Sequence, residues 1–243
     1  MIKHLITILF VLLLSPASLS ASEEVSFGTP EMKLVKEFEK GGRKVLRYEH
    51  DSISEWGYAK PQQDYFYVLP LAENPEKKPL HVVLHSAGCS GDIALDRAFK
   101  HPDWFHYMGL EDQVILYLDC RKNRNDWWWG AHSIRKEKEK YADAYCPAEK
   151  RVLTTIEWVI QTYKIDRNRV YLSGISMGGS GSLGIGMRRG DIFAAVNVAV
   201  PAGIEHIEHR VFGKDVPDPP ILVNFSAPND NWSKDQEKLI AYF

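Results

Sequence analysis

Cysteine is scarce in this 243-residue chain: Cys89, Cys120 and Cys146 are all there is. So few exclude a small scaffold held by disulfides, and three cannot all pair within one chain. No spacing of His and Cys fits a zinc site, so no metal is expected. An excess of charge of one sign is lacking too. With 30 Lys and Arg against 32 Asp and Glu the formal net charge is −2. That excludes the basic footprint of a nucleic-acid-binding protein. No G-x-G-x-x-G follows an early strand, so a dinucleotide-binding fold has no support. Repeats and low-complexity segments are absent. No apolar run reaches the ~20 residues of a membrane span. The nearest, Leu5 to Leu14, follows Lys3 and His4 and precedes Ser15-Pro16-Ala17-Ser18-Leu19-Ser20-Ala21. A basic start, a short apolar stretch and small residues at a cleavage point make residues 1–21 a secretory signal peptide. The mature chain is then expected to be secreted or periplasmic, with no stable membrane insertion after cleavage.

What remains, residues 22–243, has the composition of one globular domain, 44% hydrophobic and 12% aromatic. An oxidising compartment lets cysteines pair. The pair Cys120 and Cys146 would close the polar segment between them, Cys89 with Cys120 is a second option, and three free thiols a third.

Residues 22–42 read as a polar lead-in. Lys44 to Tyr48 and Asp64 to Pro70 alternate β-branched and aromatic residues and read as antiparallel strands. Leu80 to His85 and Val114 to Asp119 are nearly all apolar, the pattern of buried parallel strands. A helix is expected over residues 92–100, and a polar and aromatic insert over 121–146. Apolar residues at helical spacing (Val152, Ile156, Val159, Ile160, Tyr163) predict a helix over 147–164, with Pro147 suited to its first turn. Val170 to Leu172, Ala194 to Val200 and Pro220 to Phe225 complete the strands, and Ser233 to Phe243 begins a last helix. The order predicts an α/β fold: a doubly wound, mostly parallel sheet with an antiparallel N-terminal edge.

The most informative stretch is Gly174-Ile175-Ser176-Met177-Gly178, a G-x-S-x-G pentapeptide between a buried strand and a glycine-rich helix. A nucleophile on so sharp a strand-to-helix turn needs small residues two before and two after, so that strand and helix can approach. The helix that begins there aims free N–H groups at the site.

Together with Tyr65-Phe66-Tyr67-Val68-Leu69-Pro70, Val82-Val83-Leu84-His85-Ser86-Ala87-Gly88 and Asp166 to Gly179, the pentapeptide makes residues 43–235 resemble an α/β-hydrolase. The chain is similar to secreted esterases of the polyhydroxybutyrate-depolymerase and feruloyl-esterase type. The resemblance implies Ser176 as nucleophile, with an oxyanion hole made by the N–H groups of Ala87 and Met177. Ser86 stands where the family usually has Gly, and His85 is expected to hold the loop rather than to react. Asp230, the one carboxylate after the last visible strand and before the next helix, is implied as the acid of the triad; a turn or helix-cap aspartate is the alternative. Asp126-Trp127-Trp128-Trp129-Gly130 falls at the carboxyl ends of the strands, where ligands bind in such sheets. Trp127, Trp128 and Trp129 are therefore candidate substrate-binding residues, or else a hydrophobic cluster closing the insert.

One member of the triad is missing. In this fold the order is Ser, Asp, His, and no His follows Asp230. The expectation is that the chain stops short of its last strand and helix, where the His would lie, and as written has little or no activity. Recruitment of His132, His206 or His209 is the alternative. The function expected is hydrolysis of a carboxylic ester, on a polysaccharide, a polyester or a small molecule, without a cofactor. A prolyl-oligopeptidase-like peptidase and a non-hydrolytic carbohydrate-binding relative are the alternatives.

Overall fold

The computed structural model describes residues 26–73, 76–104, 106–107, 109–120, 128–129, 140–214, 218–226 and 229–242. Eight strands form one sheet: β1 (Lys33–Lys40), β2 (Arg43–Asp51), β3 (Gln63–Leu69), β4 (Lys78–Leu84), β5 (Val114–Leu118), β6 (Ile165–Ile175), β7 (Ala195–Ala199) and β8 (Ile221–Phe225). Their spatial order is β1-β2-β3-β5-β4-β6-β7-β8. The pairs β1–β2, β2–β3 and β3–β5 are antiparallel. The rest, β5–β4–β6–β7–β8, are parallel. β4 and β5 carry only buried residues, because helices cover both faces there.

Helix α1 (Gly91–Lys100) covers one face. It starts where the Ser90 hydroxyl accepts the N–H of Ile93 at 3.3 Å. Its Ala94, Leu95 and Ala98 pack on Tyr65, Tyr67, Val83 and Tyr117 of the sheet. Helices α2 (Pro147–Thr162) and α3 (Met177–Gly186) cover the other face, over a larger core that joins Val152, Ile156 and Val159 to Val82, Leu116, Leu172 and Val196. A fourth helix, α4 (Gln236–Tyr242), follows β8. A buried ion pair, Arg210 Nη2 to Glu149 Oε1 at 2.6 Å, ties the start of α2 to the short helix Glu208–Val211, with the guanidinium also 5.1 Å over the Trp129 ring.

Three expectations need correction. Residues 22–42 were expected as a lead-in, but Lys33–Lys40 is a strand. It lies at an edge where both faces meet water, so it shows no apolar alternation to read. The disulfide expected between Cys120 and Cys146 is not formed; all three cysteines are buried thiols. Cys146 instead caps α2, its sulfur accepting the Glu149 N–H at 3.4 Å, and Cys120 sits at the end of β5. The segment 220–225 reads as a buried strand, yet among the described strands β8 is the opposite edge: Ile221, Val223 and Phe225 are 71%, 40% and 50% exposed, while Leu222 packs on the core.

The two edges differ. β1 alternates charges (Lys33, Lys36, Glu37, Glu39, Lys40) and carries a register irregularity between Leu34 and Lys36. β8 has no charged residue and pairs in regular register from Ile221 to Phe225.

Candidate active site

The site is built where β6 ends. Ile175 is its last residue, and Ser176 follows with φ 56° and ψ −117°, a backbone that side-chain-bearing residues rarely adopt. The Ser176 N–H donates to Ala199 O on β7 at 3.0 Å, and its C=O accepts the first bond of α3, from Ser180 N at 2.9 Å. The turn is tight because its flanks have no side chains. A Cβ on Gly174 would lie 2.4 Å from the backbone of Gly178, and one on Gly178 would lie 2.0 Å from Leu84 O. Gly178 thus presses the start of α3 against the end of β4. The N–H of Met177, first residue of α3, has no carbonyl within the helix to meet.

The loop after β4 stands beside this turn, since β4 and β6 are neighbours. His85 anchors it. Its Nε2 accepts the Cys120 N–H at 2.9 Å, which places the ring proton on Nδ1, donated to Ser86 O at 2.9 Å. Asp119 lies 3.6 Å from the same Nε2, and its Oδ1 accepts the Gly91 N–H at 2.8 Å and the Tyr65 hydroxyl at 3.1 Å. His85 is fully engaged in this frame. The Ser86 hydroxyl meets Tyr107 and Cys89 at 3.1 and 3.2 Å. Beyond it Ala87 and Gly88 are exposed, with Gly88 at φ 72°. The loop is therefore pinned on both sides of a solvent-facing Ala87.

Asp230 follows β8, two strands from Ser176. It is half-buried, and its Oδ1 accepts the N–H of Trp232 at 2.8 Å, a turn-forming bond. Among the described residues no imidazole is hydrogen-bonded to Ser176 or Asp230. The histidines are occupied elsewhere. His81 Nε2 bonds the Ser173 hydroxyl at 2.6 Å inside the core, and His209 packs on Trp129 with ring centroids 5.6 Å apart. Burial pushes His50, His81 and His106 each down to about 4, so they are neutral at pH 7. His132 and the His206 side chain lie outside the described residues.

Trp128 and Trp129 do not form a platform. Trp128 and Trp129 are 0% exposed, a correction to their reading as substrate-binding residues. Their rings fill the slots left by Gly181 and Gly184, where an added Cβ would come within 2.6 and 2.7 Å of the indoles. Trp128 also donates its ring N–H to His85 O at 3.2 Å. Trp127 lies outside the described residues.

One residue at the site has no signal in the sequence. Val200, just after β7, has φ 46°. A valine closing an apolar strand reads as more strand, and its residue type gives no sign that the backbone turns over.

No family model and no curated protein matches the sequence. Solved structures do. A thermostable esterase superposes with TM-score 0.56 at 22% identity, covering 81% of this chain and 50% of that one. Native pOPH gives 0.51 at 16%, covering 73% and 54%. The chain has the α/β-hydrolase fold. An S-formylglutathione hydrolase from Agrobacterium tumefaciens is similar at TM-score 0.48 and 14% identity, covering 70% of this chain and 62% of that one. The chain thus spans about half to three fifths of the length of these α/β-hydrolase structures. Within the α/β-hydrolase fold a G-x-S-x-G turn stands between a strand and a helix at the top of the sheet, the place Ser176 holds, half-buried, between β6 and α3.

Proposed function

We propose that the protein is a carboxylic-ester hydrolase working outside the cytoplasm, with Ser176 as its nucleophile. The observation that carries this reading is the Ser176 backbone itself, at φ 56° and ψ −117° between two glycines at which an added Cβ would meet backbone atoms at 2.4 and 2.0 Å. Such strain persists only where the surroundings impose it, and it collects at reactive sites. In the reaction the Ser176 oxygen attacks the ester carbonyl carbon while its proton passes to a histidine base. The N–H groups of Ala87 and Met177 hold the oxyanion, each contributing about 3 kcal/mol of barrier lowering. The alcohol leaves with that proton, and water then releases the acid by the same steps in reverse order. Asp230 orients the base: Oδ1 is taken by Trp232, leaving Oδ2 to accept from an imidazole. In this reading the base follows Asp230 in the gene's reading frame. The substrate class, an acyl ester on polysaccharide or an aliphatic polyester, rests on the sequence resemblance. The reading of residues 1–21 as a signal peptide supports the compartment.

A fluorophosphonate probe tests it, on this chain and on the product read to the stop codon of its gene. Labelling of the longer product at Ser176, abolished by Ser176→Ala, is the expected result. Ser173 is an internal control, because its hydroxyl touches His81 but is fully buried. A folded longer product that stays unlabelled sinks the hydrolase reading and leaves a non-hydrolytic carbohydrate-binding protein in its place.

A further inference from the structure

Ser176 is not alone in its strain. β6 and β7 run parallel and are last paired at Ile175 and Ala199. The next residue on each is Ser176 and Val200, with φ 56° and 46°. Neighbouring strands stand about 4.8 Å apart, so Val200 is the lateral neighbour of Ser176. Seven described residues other than glycine have positive φ, and Val200 is the one with a branched Cβ, for which this region is a true outlier.

The chain around Val200 is pinned on every side. Ala199 O holds the Ser176 N–H at 3.0 Å, and the Val200 N–H donates to Phe225 O at 2.7 Å. Pro201 O accepts the Ser233 hydroxyl at 2.7 Å, and Ala202 O accepts the Gln236 amide at 2.8 Å. Ala199, Pro201, Ala202 and Gly203 are buried, yet Val200 among them is half-exposed. The backbone is held in a costly conformation that brings a branched apolar side chain to the surface beside the nucleophile. A turn needed only for folding would be met by glycine without strain.

We propose that Val200 is a specificity-determining residue: its two methyl groups wall the space beside Ser176 and limit the bulk of the ester accepted there. This inference rests on Ser176 being the nucleophile. The test uses the product read to the stop codon, p-nitrophenyl acetate and p-nitrophenyl octanoate, and the variants Val200→Ala and Val200→Gly. Opening the wall is expected to raise the octanoate-to-acetate ratio of kcat/KM about tenfold in both variants. Val200→Gly also relieves the backbone and is expected to raise Tm, which Val200→Ala does not. If Ser176 takes a fluorophosphonate at the wild-type rate while both ratios stay within about twofold of wild type, Val200 is only structural and the inference falls alone. If Ser176 is never labelled in the folded protein, the hydrolase reading falls and takes this inference with it.

Discussion

At Gly178 a single methyl group decides whether the turn can close. Added there, it would stand 2.0 Å from Leu84 O and 2.8 Å from His85 O, backbone atoms at the end of β4 and the start of the loop that carries Ala87. Backbone cannot rotate away as a side chain can. Gly178→Ala is therefore expected to lower stability by about 1–3 kcal/mol in urea unfolding and to slow fluorophosphonate labelling of Ser176. Unchanged labelling in a folded variant would show that the turn tolerates displacement. The strand-to-helix turn at Ser176 was legible in the sequence because this steric demand writes itself as glycine at fixed offsets. The conformation of Val200 was not, since it is held by the bond of its N–H to Phe225 O at the end of β8, and leaves no mark on its own residue type. Asp230 was read in the sequence as the carboxylate after the last strand, and the bond it makes here is to its own turn.

Helix α3 shows why an aromatic run can mislead. All ten of its residues are buried, and five are glycine. Small side chains leave grooves along the helix, and the Trp128 and Trp129 rings occupy them. An aromatic triplet in a polar insert suggests a surface for ligands; the same residues become core once a helix offers slots of matching width. Trp128→Ala is expected to cost about 3–5 kcal/mol of stability, measured from the denaturation midpoint, as for any fully buried indole. A loss below about 1 kcal/mol would return Trp128 to the list of surface residues. The parallel strands were legible for the opposite reason, that a strand covered on both faces must be apolar throughout. β1 escaped because its exposed flanks remove that requirement. The cysteines escaped because sequence separation does not reveal that Cys146 is committed to a helix cap.

Across the whole molecule, stability depends on imidazoles kept neutral. His50 and His81 are buried and held near 4 by desolvation, below the 6.5 of an unfolded chain. The unfolded state thus binds more protons between those values. The contribution is complete above about pH 6.5 and is lost as pH falls towards 4, by about 2 kcal/mol per histidine at pH 5. Urea midpoints at pH 7 and pH 5 are expected to show the loss, and His50→Gln to reduce it. An equal drop in that variant would place the titrating groups elsewhere. His81 also illustrates that a serine and a histidine in contact do not make a site: its bond to Ser173 lies wholly inside the protein.

The unlike borders of the sheet set a limit on assembly. Along β1, charged side chains and a broken register repel a newcomer strand; along β8, nothing does. A ribbon that can grow at only one margin cannot become a fibre. The margin along β8 is thus where a further strand adds: a later strand of the same polypeptide in the longer product, or, for the 243 residues alone, a second copy about a twofold axis, after which growth stops because each copy has used that margin. Val223→Lys places a charge at the centre of that margin and is expected to leave only monomers in sedimentation velocity at concentrations where the parent chain pairs. Higher oligomers from the parent would mean that β1 is no barrier.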